Sequence, residues 1–390
     1  MTRFSDELRL IADQASDGPA DLAEKALRGN RRQRKRTFTL ASVTAALLAL
    51  TLTGAVVMGG SQGGGTISGK VTDVLPASGV GAASHAYHNF CGRQWNPGRN
   101  TAALGDRTCA QWRLVTRTGQ SFRVPEAVSV YSEQSAENYM NTSGPLEISS
   151  DGRRIAYYSG KDQRFAVRDL SSGRIWLSPQ TVTRAAMVKS GGLLQISPDG
   201  RFLGMSGAGR PSAVLEVETG KMTEVPQGWQ VRRVPNGGAP VVVMKDRQLG
   251  LLTDGQVKAL TTDANVLNVS ELSPDGHTLA YMDSGTVRSG MGKLNLTLHT
   301  IYLPSGKTSG KIELREAPKR FLPMRIGGWL SPTEVIVADQ ARGAWGGSGP
   351  ESVPTLGDIT YGVDVISGRV RMLAKYTYRA WAGDMSIPGF

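Results

Sequence analysis

Three tryptophans, Trp229, Trp345 and Trp381, adjoin glycine-rich turns. Rings set on tight turns can line a ligand surface, and the same rings can equally fill a core. His85 and His88 share the i, i+3 spacing of some metal sites, but no further ligand at the usual spacing completes a set. They read as surface histidines, with no metal. Cys91 and Cys109 are the only cysteines. They would be a disulfide in an oxidising compartment, contributing about 3 kcal/mol, or else two unpaired buried thiols. Gly59-Gly60-Ser61-Gln62-Gly63 spells a hydrolase nucleophile turn. That turn needs a strand before it and a helix after it, whereas an apolar stretch precedes this one and more glycine follows. Asp151, Asp199 and Asp275 recur as turn formers, not as a carboxylate pair. No nucleophile–base set, phosphate loop or dinucleotide fingerprint emerges. The expectation is a protein that is not an enzyme and carries no cofactor.

The element that places these residues is the stretch Phe38 to Met58, which is 21 residues without a charge. At ~1.5 Å per residue it spans a hydrocarbon core of about 30 Å. Arg28, Arg31, Arg32, Arg34, Lys35 and Arg36 sit directly before it and belong on the cytoplasmic side. The reading is a cytoplasmic tail over 1–36, a transmembrane signal-anchor over 37–59 and everything later outside the cytoplasm. A cleaved signal is disfavoured by the long n-region and by Thr53-Gly54-Ala55, a poor cleavage match.

The tail reads as two short helices broken by Asp17-Gly18-Pro19. Its Phe4, Leu8, Ile11 and Ala15 stripe could dock a cytosolic partner or settle on the membrane surface. The tail holds nine basic and six acidic residues of a chain whose net charge is +12. The remaining excess is spread thinly, with no arginine-rich run, so nucleic acid is not an expected partner. Residues 60–108 read as a glycine-rich linker and irregular segment. Two glycine-rich insertions, Asp283 to Gly292 and Gly343 to Pro354, read as functional or merely loose loops.

From residue 109 onward the chain repeats itself. Ser149-Ser150-Asp151-Gly152, Ser197-Pro198-Asp199-Gly200 and Ser273-Pro274-Asp275-Gly276 each lie between apolar strands, with a decayed copy at Ser331-Pro332-Thr333-Glu334. Pro presets φ, Asp tolerates the next position and Gly takes the left-handed one, so each motif predicts a hairpin. A second hairpin follows each, at Ser172-Gly173-Arg174, Thr219-Gly220-Lys221, Ser305-Gly306-Lys307 and Ser367-Gly368-Arg369. Four strands per unit is a propeller blade. Asp199 to Asp275 is 76 residues, long enough to hide a further blade at Gly238 to Leu260, and Trp112 to Val124 reads as another hairpin. The fold class is therefore all-β: a six-bladed propeller over 109–390, with seven blades as the alternative. The stretch Tyr378 to Met385 is expected to close the ring by completing the blade that contains Trp112 to Val124.

The Ser-Pro-Asp-Gly turn followed by a short apolar strand resembles the repeat of TolB-like and WD40-like bacterial propellers, over roughly residues 110–376. The resemblance implies a propeller fold and a binding role. The Asp-Arg-Asp-Gly loop common in TolB repeats is missing, and so are the Gly-His and Trp-Asp signatures of eukaryotic WD40 blades. The functional expectation is a single-pass membrane protein that displays its propeller outside the cytoplasm. There it would bind a ligand or protein, for sensing or scaffolding at the cell envelope. The alternatives are an extracytoplasmic lyase or hydrolase, and a membrane-bound regulator acting through its tail.

Overall fold

The computed structural model describes residues 73–89, 94–96, 101–103, 111–128, 144–207, 209–260, 266–283, 296–319, 321, 323–341, 355–379 and 385–390. The chain divides into two units, Met1–Gly69 and Lys70–Phe390, and every described residue belongs to the second. Among the described residues no helix is long and apolar enough to cross a membrane. The expected anchor and tail helices lie outside them.

The second unit is a six-bladed β-propeller. Each blade is a four-stranded antiparallel sheet whose strands run in order from the channel outward. Blade 1 is Met385–Ser386, Ala83–Asn89, Gln111–Thr116 and Ser121–Arg123. Blade 2 is Leu146–Ile148, Arg154–Ser159, Arg164–Asp169 and Ile175–Thr181. Blade 3 is Gly192–Ile196, Phe202–Gly207, Ala213–Glu216 and Met222–Glu224. Blade 4, the one hidden in the long gap, is Gln230–Arg233, Val241–Lys245, Gln248–Thr253 and Gln256–Ala259. Blade 5 is Val266–Leu272, Thr278–Asp283, Thr297–Tyr302 and Lys307–Thr308. Blade 6 is Pro323–Trp329, Glu334–Ala341, Thr355–Asp364 and Val370–Arg379.

Hydrogen bonding explains why the repeated turn folds each hairpin. The Asp199 carboxylate accepts from the Ser197 hydroxyl at 2.7 Å and from the Arg201 amide at 3.0 Å. The same hydroxyl accepts from the Phe202 amide at 3.0 Å, and Gly200 turns the chain at φ 71°. The motifs at Ser149 and Ser273 repeat these bonds. All three serines are buried, so the turn satisfies hydroxyls that would otherwise be costly. In blade 6, which lacks the Asp and Gly, Ser331 alone caps the turn by accepting from the Thr333 and Glu334 amides.

Because side chains alternate along a strand, each blade offers an apolar face to both neighbours. Six core clusters result, and each spans one blade interface. Leu114 of blade 1 packs with Ile155 of blade 2, Tyr158 of blade 2 with Leu203 of blade 3, and Val214 of blade 3 with Val243 of blade 4. Val242 of blade 4 then meets Leu279 of blade 5, and Met282 of blade 5 meets Val337 of blade 6. Tyr376 of blade 6 packs with Met385 and Ile387 of blade 1, which closes the ring at six. The seven-bladed alternative does not occur.

Closure on blade 1 is made near the C-terminus, as expected, but of the expected stretch Met385 joins blade 1, with Ser386 beyond it, whereas Tyr378 pairs with Leu356 in blade 6. Met385 and Ser386 pair with Tyr87 and Ala86. This overturns the boundary at 109. Ala83–Asn89 is the second strand of blade 1, and Val74 already bridges Arg123 in parallel. The strand escaped detection because its buried positions hold Ala83, His85, Ala86 and His88 instead of large aliphatic residues. A two-stranded ribbon, Gln94–Asn96 with Thr101–Ala103, falls in the connection that follows it. One helix departs from the all-β scheme among the described residues, Arg184–Ser190 between blades 2 and 3, capped by the Thr183 side chain.

Candidate functional site

The innermost strands of all six blades surround a central cavity of about 200 Å³. Its polar groups are Glu147 of blade 2, Gln195 of blade 3, Arg232 and Arg233 of blade 4, Asn268 of blade 5, Arg325 of blade 6 and Ser386 of blade 1. Met244, Leu267, Val269, Met385, Ile387 and Phe390 supply the apolar wall.

Regular strands would send adjacent residues to opposite faces, yet Arg232 and Arg233 both line the cavity. The reason is a register shift between Val231 and Arg233, which makes Arg232 an extra, bulged residue. Equivalent shifts interrupt the inner strand of blade 5 at Val266/Asn268 and Val269/Leu272, and that of blade 6 at Pro323/Arg325 and Ile326/Trp329. The inner strands of blades 1, 2 and 3 pair with their neighbours without a shift. The irregularity is thus concentrated on the wall that carries the arginines.

Arg233 is a buried hub. Its Nε donates to the Val269 carbonyl at 3.0 Å, one terminal nitrogen to Gln195 Oε1 at 2.6 Å and the other to the Ile326 carbonyl. One side chain on blade 4 therefore ties blades 3, 5 and 6 together. Burial lowers its pKa, opposed by the charges of Glu271 and Glu147. Arg325 donates to the Met385 carbonyl at 2.9 Å and pairs with Asp358, and its guanidinium lies 5.5 Å from the Phe390 ring centre. Arg232 has far less company. A terminal nitrogen reaches Gln230 Oε1 at 3.1 Å, while its buried Nε has no hydrogen-bond partner.

Glu271 follows on the bulged strand of blade 5. Burial pushes its carboxyl up to about 7, against the opposing pull of Arg233. Its carbonyl is fixed by the Trp329 indole at 2.8 Å, and that indole also donates to the Ser270 hydroxyl. Asp358 is raised by burial too, with Arg325 opposing.

Of the residues singled out from sequence, those that are described do not line this cavity. Trp229 sits half-buried at the entry to blade 4, its ring stacked over the space left by Gly250 and beside Val257. It packs the blade and does not reach the channel. Trp345, Trp381, Cys91 and Cys109 lie outside the described residues, as do the whole insertion Gly343 to Pro354 and all of the other after Asp283. His85 and His88 are buried, not on the surface. Three positions apart on a strand, they point to opposite faces. His85 meets Tyr376 edge-on at 5.5 Å, and His88 meets Trp112 at 5.7 Å. Burial drops His85 to a pKa of about 4. Among the described residues no group of three or more His, Cys, Asp or Glu is arranged to hold a metal. The arginine wall went unread because Val231-Arg232-Arg233-Val234 looks like one charged residue in and one out. The available signal was a pair of charges inside an otherwise apolar strand.

Fold and site together define a six-bladed propeller with a basic, polar channel cavity. No protein-family model matches the chain, and no curated protein matches it. Among solved structures it is similar to TolB from Acinetobacter baumannii, at 15% identity and a TM-score of 0.45, covering 80% of this chain and 67% of that one. It is also similar to a putative TolB from Agrobacterium tumefaciens, at 13% identity and a TM-score of 0.44, covering 77% and 92%. Oligogalacturonate lyase from Vibrio parahaemolyticus is similar at 12% identity and a TM-score of 0.39, covering 75% and 79%.

Proposed function

We propose that this chain is a binding protein whose ligand site is the propeller channel, presented outside the cytoplasm on a single-pass anchor. The observation that carries the reading is the wall of three bulged inner strands, which turns Arg232, Arg233, Asn268 and Arg325 toward one cavity. Bulges lengthen a strand at the expense of ladder hydrogen bonds, and they recur where a side chain must be re-aimed. Most of the polar groups are held by backbone carbonyls and by each other, which suits a preformed site. The anchor rests on the uncharged stretch Phe38 to Met58 and the basic residues before it.

Leu267, exposed and lining the cavity, offers a direct test. The full chain and its Leu267→Trp variant would be equilibrated with a small-molecule library and compared by native mass spectrometry. Adducts should form on the parent and be lost from the variant at an unchanged melting temperature. Adducts that persist on the variant would put the binding surface elsewhere.

A further inference from the structure

We propose that Arg232 is the anion-recognising residue of the channel, and that the ligand it holds is a small organic carboxylate with a short apolar body. The proposal rests on the channel reading above and adds the chemical class of the ligand.

Other arginines drawn into this fold are answered by carboxylates. Arg168 pairs with Glu126 at 3.2 Å, Arg154 with Glu218 at 2.7 Å, and Arg325 with Asp358. Arg232 and Arg233 break the pattern: among the described residues, no carboxylate lies within 4.0 Å of either guanidinium. Arg233 is compensated by three acceptors from three blades. Arg232 keeps one contact, to a glutamine, and a buried Nε without an acceptor. Two adjacent guanidinium groups repel each other, and Arg232, half-buried, is answered by a single neutral acceptor. The bulge places Arg232 there, so the acceptor it calls for belongs to a ligand that enters the cavity.

The guanidinium calls for an anion, and the rest of the lining selects which. A guanidinium takes an oxyanion, carboxylate or phosphate, through paired N–H groups. Met244, Leu267, Val269 and Ile387 add apolar lining, so a carboxylate that carries hydrocarbon fits this cavity better than a bare inorganic anion. At about 200 Å³ the cavity is smaller than the roughly 300–1,000 Å³ of pockets for drug-sized ligands, so the ligand is small.

Isothermal titration of the full chain with butyrate, butyramide and inorganic phosphate at fixed ionic strength tests this. Butyrate should bind, butyramide should not, and phosphate should be the weaker anion. Arg232→Gln should weaken butyrate about ten- to a hundredfold, the loss expected for a charge-assisted bond. Arg232→Lys, which keeps the charge without the fork, should fall in between. Melting curves identical to the parent's exclude a folding defect, and a variant that melts early is replaced by Gln230→Leu, which frees the guanidinium without removing it and should tighten butyrate binding, unchanged or weaker binding counting against the proposal. Equal binding of butyrate and butyramide, a preference for phosphate, or an Arg232→Gln that binds as the parent does would each overturn the proposal. So would the absence of binding by all three probes. The channel reading has its own test in the library experiment, so the two can fail separately.

Discussion

His85 and Glu271 should give the folded domain two pH dependences that cancel. His85 is neutral and buried in the native state, with a pKa of about 4 against an ordinary 6.5. Between those values the unfolded chain binds a proton that the native state refuses. Stability therefore rises with pH, by about 1.4 kcal/mol per pH unit for one proton. Glu271 does the opposite. Its carboxyl is held to about 7 against an ordinary 4.5, so the native state keeps a proton that the unfolded chain has released. Stability then falls as pH rises through that window, with the same slope. From about pH 4.5 to 6.5 the two overlap and the pair contributes a flat profile. Urea melts of the full chain at half-unit steps of pH would read this. Relative to the parent, His85→Gln should lose about 2 kcal/mol more at pH 6.5 than at 4.5, and Glu271→Gln should show the reverse tilt. Subtracting the parent removes every other titrating group. If either difference profile were level, the corresponding group would not be titrating as its burial requires, and the reasoning would fail.

Deleting residues 385–390 should unfold the propeller as a whole instead of fraying one blade. It removes two buried side chains, Met385 and Ile387, each contributing about 1.5–3 kcal/mol, and bares the edge of Ala83–Asn89. A cooperative melt at the parent's midpoint would refute this. Trp229→Ala should lower stability by about 3–5 kcal/mol while leaving titration of a channel ligand unchanged, since the ring packs on blade 4. A reporter active only outside the cytoplasm, fused after Phe390, should be active in a membrane-retained chain. Release of a soluble form lacking roughly the anchor would instead identify a cleaved signal. Thiol labelling of denatured, unreduced protein should find neither Cys91 nor Cys109 free, and two labelled cysteines would disprove their pairing.

The fold was legible where the sequence encodes local chemistry. Ser197, Asp199 and Gly200 are bound to one another and to the next strand, so three residues suffice to announce a hairpin. Blade 4 has no such turn, and only the length of the gap and the run Val241-Val242-Val243 exposed it. Ala83–Asn89 stayed hidden because its partners are non-local and its buried residues are small or imidazole. The site was the least legible part. A bulge is a disagreement in register between two strands, so nothing within Val231-Arg232-Arg233 announces it. Tryptophans drew attention through composition, whereas the cavity is made by where six separate strands meet.

Ala86 pairs with Ser386, and every residue between them must be made before that ladder forms. A chain synthesised from its N-terminus therefore carries the open edge of blade 1 through the production of five further blades. Contacts this distant are slow to form, because closing so large a loop costs entropy before any bond offsets it. The ring thus acts as a completeness check on its own biogenesis. Any product that stops short of Met385 keeps a bare strand edge, the surface by which quality-control factors and aggregates alike take hold of an unfinished protein.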